Sequence, residues 1–474
     1  MEALQRLHNR GSISTGYDID NSCKFESDNT EYLSKTPSSA GNRRTWTFSA
    51  WVKRSEITAT SNATGNQNMV FSAGDTYLQF DGNAIWINHR AASENFFLAT
   101  NRLFRDSSAW YHIVWQLDTT DSTAADRAKL YINGVRETSF QNSTYDNMSL
   151  NYEAAVNNTV EHEIGKYSLH DTTYAGMFNG YMAEIHLVDG TALTPTSFGE
   201  FDSDTGIWKP KEYTGSYGTN GFYLDFSDSA NLGDDASGNS NDFTETNITS
   251  ADQATDTPTN NFCTMNMLDR TNGNSKNQEG ATKVTTDGGS GWCSMVATMG
   301  VTKGKWYWET QRSGGSSDSN DVVTGIVGSE DAYIPYSSAA QYYIGNVATS
   351  SSMGFYTTGV PNVRNGDGGS LSNSAGDIIM IGLDMDNSKI YFGVNGTWDA
   401  LGTGGSSLHA DFDGEFVLPA VAVYQGKQIK INFGGYASYT ISSAASDADG
   451  YGTFEYAPPS GYYALCTKNL EEYG

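Results

Sequence analysis

The chain has 474 residues, more than one ordinary hydrophobic core holds, which predicts two or three domains. It contains 50 glycines against 9 prolines, and this balance favours short strands joined by tight turns. The formal net charge of −27 gives a surface that repels phosphate backbones and anionic headgroups. We therefore expect neither nucleic acid nor a membrane surface as a partner.

The first 21 residues differ from the rest of the chain. They include no apolar segment followed by a cleavage site, so no secretory signal is expected, and no membrane span appears anywhere. Leu4 and Leu7 are spaced for one helical turn and lie among the basic residues Arg6 and Arg10. Residues 1–21 are predicted to be either a flexible tail or an arm that anchors the chain to a larger assembly.

The four cysteines are far apart in the sequence and form no CxxC pair. This spacing predicts free thiols in a chain that folds in a reducing cytosol. They are Cys23, Cys263, Cys293 and Cys466.

Strand signals begin at Cys23. In TWTFSAWVKR (45–54) large side chains recur at every second residue, which predicts that Trp46, Phe48, Ala50 and Val52 share one face. The motifs FSAWVKR, WYHIVWQLD, LYINGVR, HEIGKY and FNGYMAEIHLVDGTALT follow in order, and together they resemble the laminin-G/concanavalin-like jelly-roll family. That resemblance implies an antiparallel β-sandwich, for which we predict the bounds 22–228, with GFYLDFSD (221–228) returning to it.

Residues 229–261 are polar and almost without large apolar side chains, so they are predicted to be a linker or a long surface connection. A second series of strands follows, with Trp306 and Trp308 alternating against Tyr307 and Glu309. Five segments of this series are similar, in their order and in their sequences, to the SPRY domain family. They are WYWE, GDIIMIGLD, KIYFGVNG, VLPAV and NFG. This implies a second β-sandwich, predicted for 262–466, followed by a C-terminal tail, 467–474. The predicted fold class is thus all-β, with two antiparallel sandwiches in series.

Sequence motifs of catalysis are mostly absent: the chain has no nucleophile elbow, P-loop or zinc spacing. His112 lies within a strand, where a buried, hydrogen-bonded histidine is expected. Glu161 and Glu163 lie about 7 Å apart if they belong to one strand, a separation that glycosidases use. The concanavalin-like glucanases carry a further Asp and Glu that this segment lacks, so two exposed structural carboxylates are the preferred interpretation.

No cofactor is expected, although calcium remains an alternative because some laminin-G-like domains bind it. Paired aspartates could serve as ligands, but Asp is also a common turn residue. The pairs are Asp225/Asp228, Asp234/Asp235, Asp411/Asp413 and Asp447/Asp449.

A tyrosine-rich segment, 331–345, gathers four tyrosines around a proline without strand alternation. Tyrosine combines a broad apolar face with a polar tip, which suits contact with sugars or protein surfaces. We predict either a binding loop or a partly buried edge strand, formed by Tyr333, Tyr336, Tyr342 and Tyr343.

Three further segments resemble sequences found in virion proteins of tailed, particularly marine, bacteriophages. They are LGDDASGNSNDFT, DTPTNNFCTMNML and PPSGYYALCTKNL. This implies a non-enzymatic protein of the virion surface, such as a tail fibre, an adhesin or a head decoration, made in the host cytoplasm. Its expected partners are other virion proteins through the N-terminal arm, further copies of itself, and a host-surface glycan or protein. A purely structural cement protein and a glycan-degrading enzyme are the two alternatives.

Overall fold

A computed structural model describes residues 16–57, 67–91, 94–144, 148–168, 176–271, 275–286, 292–313, 322–328, 343–348, 353–357, 375–398, 406–407, 416–424 and 426–474. Within these ranges nearly all of the regular secondary structure is antiparallel β-strand, which confirms the predicted fold class. The described part has a single α-helix, Thr467–Tyr473, and no helix long and apolar enough to cross a membrane. The residues form two compact units, 16–259 and Asn260–Gly474.

The first unit contains two large sheets and one two-stranded hairpin. Its strands are β1 (Ser22–Phe25), β2 (Tyr32–Lys35), β3 (Thr45–Arg54), β4 (Gln67–Ala73), β5 (Thr76–Asp81), β6 (Ala84–Ala91), β7 (Glu94–Thr100), β8 (Trp110–Asp118), β9 (Ala128–Ile132), β10 (Val135–Arg136), β11 (Phe140–Ser143), β12 (His162–Ile164), β13 (Gly180–Asp189), β14 (Gly199–Phe201), β15 (Trp208–Pro210), β16 (Phe222–Leu224), β17 (Thr244–Thr246) and β18 (Gln253–Ala254). Sheet A has the order β10-β9-β8-β3-β13-β1-β18, with β16 also paired to β13, and sheet B has the order β11-β7-β6-β5-β4-β12-β2-β17.

The core of the first unit lies between sheets A and B. Strand β3 contributes the predicted alternating set, Trp46, Phe48, Ala50 and Val52, and all four are fully buried in it. Phe48 of sheet A stacks on Phe71 of sheet B at 4.5 Å between ring centroids. The period-two pattern therefore identified the buried face correctly.

The segment predicted as a linker, 229–261, belongs almost wholly to the first unit, and that prediction is wrong. Strand β17 pairs with β2 and β18 pairs with β1, so the segment extends both sheets. Its few apolar side chains, Leu232, Phe243 and Ile248, are buried in the core. Its many polar side chains bind backbone groups; Asp235, for example, accepts hydrogen bonds from the amides of Tyr223 and Asn241.

The second unit also has two sheets. Its strands are β19 (Met265–Thr271), β20 (Ser275–Gln278), β21 (Lys283–Thr286), β22 (Trp292–Ala297), β23 (Lys305–Ser313), β24 (Val322–Gly328), β25 (Tyr343–Ala348), β26 (Met353–Thr357), β27 (Ile378–Asp384), β28 (Lys389–Val394), β29 (Thr397–Trp398), β30 (Ser406–Ser407), β31 (Val417–Tyr424), β32 (Gln428–Asn432) and β33 (Tyr463–Ala464). One sheet has the order β19-β22-β31-β24-β25-β26, and the other β20-β21-β32-β23-β27-β28-β29, with β30 beside β28 and β33 parallel to β23.

Strand β23 separates two hydrophobic clusters of the second unit. Trp306 and Trp308 point into the main core, whereas Tyr307 belongs to a second cluster on the opposite face of the sheet, as the alternation predicted. The predicted C-terminal tail is instead folded. Leu470 of its helix is buried in the main core, and the Asn469 amide donates to Asp447 at 2.8 Å.

Candidate functional site

The residues predicted to bind a ligand or an assembly are mostly not covered by the structure. Tyr333, Tyr336 and Tyr342 lie outside the described residues, as do residues 1–15 of the predicted N-terminal arm with Leu4, Arg6, Leu7 and Arg10. Residues 16–21, predicted as part of that arm, instead belong to the first unit, where Ile19 is buried and its amide donates to Thr259. Tyr343 is the first residue of β25, where its backbone is in register with Val327 of β24. These interpretations stay predictions.

The carboxylates Glu161 and Glu163 have different environments. Glu161 precedes β12 and is exposed, whereas Glu163 is buried at 3% exposure in the middle of sheet B. Glu163 accepts a hydrogen bond from the Ser168 amide at 2.8 Å, and its Oε1 lies 3.7 Å from Lys166 Nζ. The interpretation as two exposed acids is therefore wrong for Glu163, which holds the turn after β12 in place.

Glu163 is one member of a row of side chains that crosses the outer face of sheet B, the face away from the core. The backbone register runs from Ser34 through Glu163, Ser72, Tyr77 and Asn88 to Phe97. A second row on this face contains Met69, Gln79, Trp86 and Ala99. Residues two apart in a strand share a face, so Asp81 continues the series beyond Gln79. We call the surface formed by these residues and Tyr167 the outer face.

Aromatic rings occupy the centre and one side of the outer face. Trp86 and Phe97 pack edge to face at 4.9 Å between centroids, and both are half-buried. Tyr77 and Tyr167 lie 4.8 Å apart and form a small hydrophobic cluster with Met69. The buried Trp86 Nε1–H has no acceptor among the described residues.

Polar groups lie beside these rings. Gln79 and Asp81 are each 2% exposed, and Gln79 Nε2 lies 3.5 Å from Asp81 Oδ2. Asp81 and Glu163 are two strands and two rows apart, which by strand geometry is roughly 16 Å. Glycosidases need carboxylates about 5 to 10 Å apart, so this pair does not fit that reaction.

The outer face therefore has the chemistry of a binding surface. Half-buried aromatic rings offer apolar faces, and buried amide, carboxylate and indole groups lie directly beside them; polyhydroxylated ligands are recognised by aromatic faces with polar groups next to them. The sequence contained a signal for this surface, because in TYLQFDGNAIWIN the residues Tyr77, Gln79, Asp81 and Trp86 alternate with the apolar core residues. Sequence alone did not place Phe97, Glu163 and Tyr167 beside them, because those contacts depend on strand order.

Two of the acidic pairs considered as calcium ligands contain an aspartate with a structural role. Asp447 accepts from the amides of Tyr451 and Ala464, and Asp235 accepts from backbone amides as noted above. Among the described residues no group of three or more acidic, histidine or cysteine side chains could hold a metal ion. Asp411 and Asp413 lie outside them.

Comparison with protein families identifies both sandwiches. The model of the concanavalin A-like lectin/glucanases superfamily matches residues 27–197, and the SPRY domain model matches residues 305–436. The chain thus carries a concanavalin-like domain followed by a SPRY domain, in the order predicted from the motifs. No curated protein matches the chain.

Several solved structures are similar to parts of the chain. The SPRY domain of human HERC1 is 20% identical, with a TM-score of 0.28, covering 35% of this chain and 96% of that one. A protein from Bacteroides ovatus described as carbohydrate-binding is 13% identical, with a TM-score of 0.32, covering 48% of this chain and 58% of that one. A pentraxin from Limulus polyphemus is 15% identical, with a TM-score of 0.27, covering 38% and 80%. At these scores no ligand is inferred from the likenesses.

Proposed function

We propose that the protein is a non-enzymatic binding protein of a tailed-bacteriophage virion surface, and that its concanavalin-like domain binds a host-surface glycan on the outer face. The observation that carries the binding proposal is the half-buried Trp86–Phe97 pair beside Gln79 and Asp81. Sugar rings have apolar faces that pack on such aromatics, and their hydroxyls bind planar amides and carboxylates. The virion assignment depends on the sequence resemblance alone.

A glycan array probed with the purified full-length chain tests the binding proposal. We expect a small set of related host glycans to bind and the variant Trp86→Ala to lose at least about tenfold in affinity, or roughly 1.4 kcal/mol. The matched control is Phe201→Ala, which removes a 51% exposed aromatic side chain on the β14–β15 hairpin and should bind normally. An array that stays blank would favour the structural cement alternative.

The same glycans serve to test the enzymatic alternative. Glu163 is buried and hydrogen-bonded, and its roughly 16 Å separation from Asp81 is too large for a catalytic pair, so we expect binding without hydrolysis. Release of reducing ends that stops in Glu163→Gln would contradict the non-enzymatic proposal. The proposal includes no cofactor. If a metal chelator weakens glycan binding, calcium takes part in that binding.

The proposal assigns the N-terminal arm to attachment. The arm would bind other virion proteins, and the two sandwiches, as part of a homo-oligomer, would extend toward the host. Deletion of residues 1–15, which precede the described part of the first unit, should abolish incorporation into particles while leaving glycan binding unchanged, as measured by particle purification and immunoblotting. Normal incorporation of the deletion variant would refute the anchoring role.

A further inference from the structure

Two buried lysines lie side by side on the outside of sheet A, away from the core. The register pairs Lys24 of β1 and Lys53 of β3 with the same residue, Tyr181 of β13. Residues 249–257, which we call the strap, cover both lysines and place one aspartate against each. Lys24 and Lys53 are each 1% exposed.

The first lysine belongs to a compact triad with two carboxylates. Lys24 Nζ lies 2.8 Å from Asp252 Oδ1 and 2.9 Å from both oxygens of Glu31. Glu31 and Asp252 are 2% and 5% exposed, so all three charged groups are withdrawn from water. The amine is thus in contact with both the target carboxyl of Asp252 and the second carboxylate of Glu31.

The two oxygens of Asp252 have different partners. Oδ1 faces the amine, whereas Oδ2 accepts from the Thr249 amide at 2.8 Å and from the Thr249 hydroxyl at 3.1 Å. Two fixed donors on one oxygen polarise the carboxyl carbon and stabilise negative charge that develops there, as an oxyanion hole does. The arrangement leaves Oδ1 as the oxygen that can depart.

Glu31 is suited to carry a proton between the amine and the departing oxygen. Burial raises the pKa of this carboxyl above its usual value; the neighbouring Asp252 adds to the shift, and Lys24 opposes it. The Asn29 amide donates to Glu31 Oε1 at 2.9 Å and holds the side chain in place. A positioned carboxylate with a raised pKa can accept and return a proton in one reaction.

We propose that Lys24 and Asp252 condense to an intramolecular isopeptide bond, with Glu31 as the proton carrier and Thr249 as the oxyanion donor. Lys24 first gives one proton, through Glu31, to Asp252 Oδ1. The neutral amine then attacks Asp252 Cγ, and charge collects on Oδ2. Glu31 takes a second proton from the nitrogen and returns it to the departing hydroxyl. The ammonium and carboxylate become an amide and one water molecule, with no oxidant or co-reactant.

The bond would join the two ends of the first unit. Lys24 lies in the first strand, and Asp252 lies in the strap, seven residues before the unit ends at Thr259. A covalent tie at this place removes conformational freedom from the unfolded chain, as a long-loop disulfide does. A pulling force applied near β1 would pass through this bond to the strap, so the strands between them would not be stretched. This inference does not depend on the proposed function.

Mass spectrometry of the full-length protein tests the proposal. We expect the wild-type chain to be lighter than its sequence by one water molecule, and a tryptic digest to yield one branched peptide containing both Lys24 and Asp252. Trypsin should not cleave after Lys24. In Glu31→Gln the full mass should return, with cleavage after Lys24 restored.

The second lysine–aspartate pair supplies the control. Lys53 Nζ lies 2.6 Å from Asp256 Oδ2, and Trp110 Nε1 donates to Asp256 Oδ1 at 3.1 Å. The variant Asp256→Asn removes a strap charge but leaves the triad intact, so it should keep the mass loss. A wild-type chain of full mass, with ordinary peptides on both sides of Lys24, would overturn the proposal whatever the variants do.

Discussion

His112 and His162 are buried in the first unit and form hydrogen bonds that suit the neutral ring. Trp208 Nε1 donates to His112 Nδ1 at 3.0 Å, so the other ring nitrogen carries the proton and donates to Ser49 at 2.9 Å. The Asn157 amide donates to His162 Nε2 at 3.0 Å in the same way. The expectation that His112 is a buried, hydrogen-bonded histidine is confirmed, whereas its tryptophan partner, 96 residues away, could not be predicted from the strand pattern.

These two histidines should make the first unit sensitive to acid. Burial, together with the nearby His186, lowers the pKa of His112 to about 3, and burial lowers that of His162 to about 4. The unfolded chain protonates both near pH 6.5, so the stability they provide is complete above that pH and is lost as the pH falls toward 4.

We expect the free energy of unfolding of the first unit to fall by up to about 1.4 kcal/mol per pH unit for each histidine below pH 6.5. Amide exchange of β3 between pH 7 and 5 measures this loss, after correction for the intrinsic exchange rate. In His112→Asn one titrating group is missing, so the free energy of unfolding should fall less steeply with decreasing pH, by up to about 1.4 kcal/mol per pH unit. A slope that is the same in the variant and the wild type would show that His112 does not titrate as described.

At the scale of elements, the strap and the C-terminal helix are where sequence-based prediction failed. Their polar composition is typical of a linker and a tail, but the polar groups are partners of buried charges and backbone amides. Asp256 pairs with Lys53 of β3, and Asn469 donates to Asp447. Lys53 is 203 residues away from Asp256 in the chain, and composition cannot reveal a partner at that separation. Turn chemistry is local, and Asn133-Gly134 and Asn395-Gly396 do form two-residue hairpin turns with positive φ at both positions.

The strap should be essential for the stability of the first unit. Asp256→Ala leaves the Lys53 ammonium buried without this carboxylate, and removal of one partner of a buried ion pair costs about 3 to 5 kcal/mol. Urea denaturation followed by tryptophan fluorescence measures the loss. Asp228→Ala, which removes an exposed turn carboxylate, should cost less than about 1 kcal/mol. Equal effects of the two substitutions would show that the buried pair contributes no more than a surface turn.

At the scale of the whole molecule, each sandwich has its own hydrophobic core, and the division falls between residues 259 and 260. The order of two β-sandwiches was predictable because their core strands alternate and their motifs follow one another along the chain. The outer face was predictable only in part: β4, β5, β6 and β7 are neighbours in sequence order, but β12 and β2 continue the surface beside β4 and are far from it in the chain. Trp86 and Glu163, on one surface here, are 77 residues apart in the chain.

We propose above that this outer face binds the host surface. Its most direct measurement is the equilibrium binding of fluorescently labelled full-length protein to host cells, compared among wild type, Trp86→Ala and Phe201→Ala. We expect saturable binding that is at least about tenfold weaker for Trp86→Ala and unchanged for Phe201→Ala. Binding of equal affinity by the wild type and Trp86→Ala would contradict it.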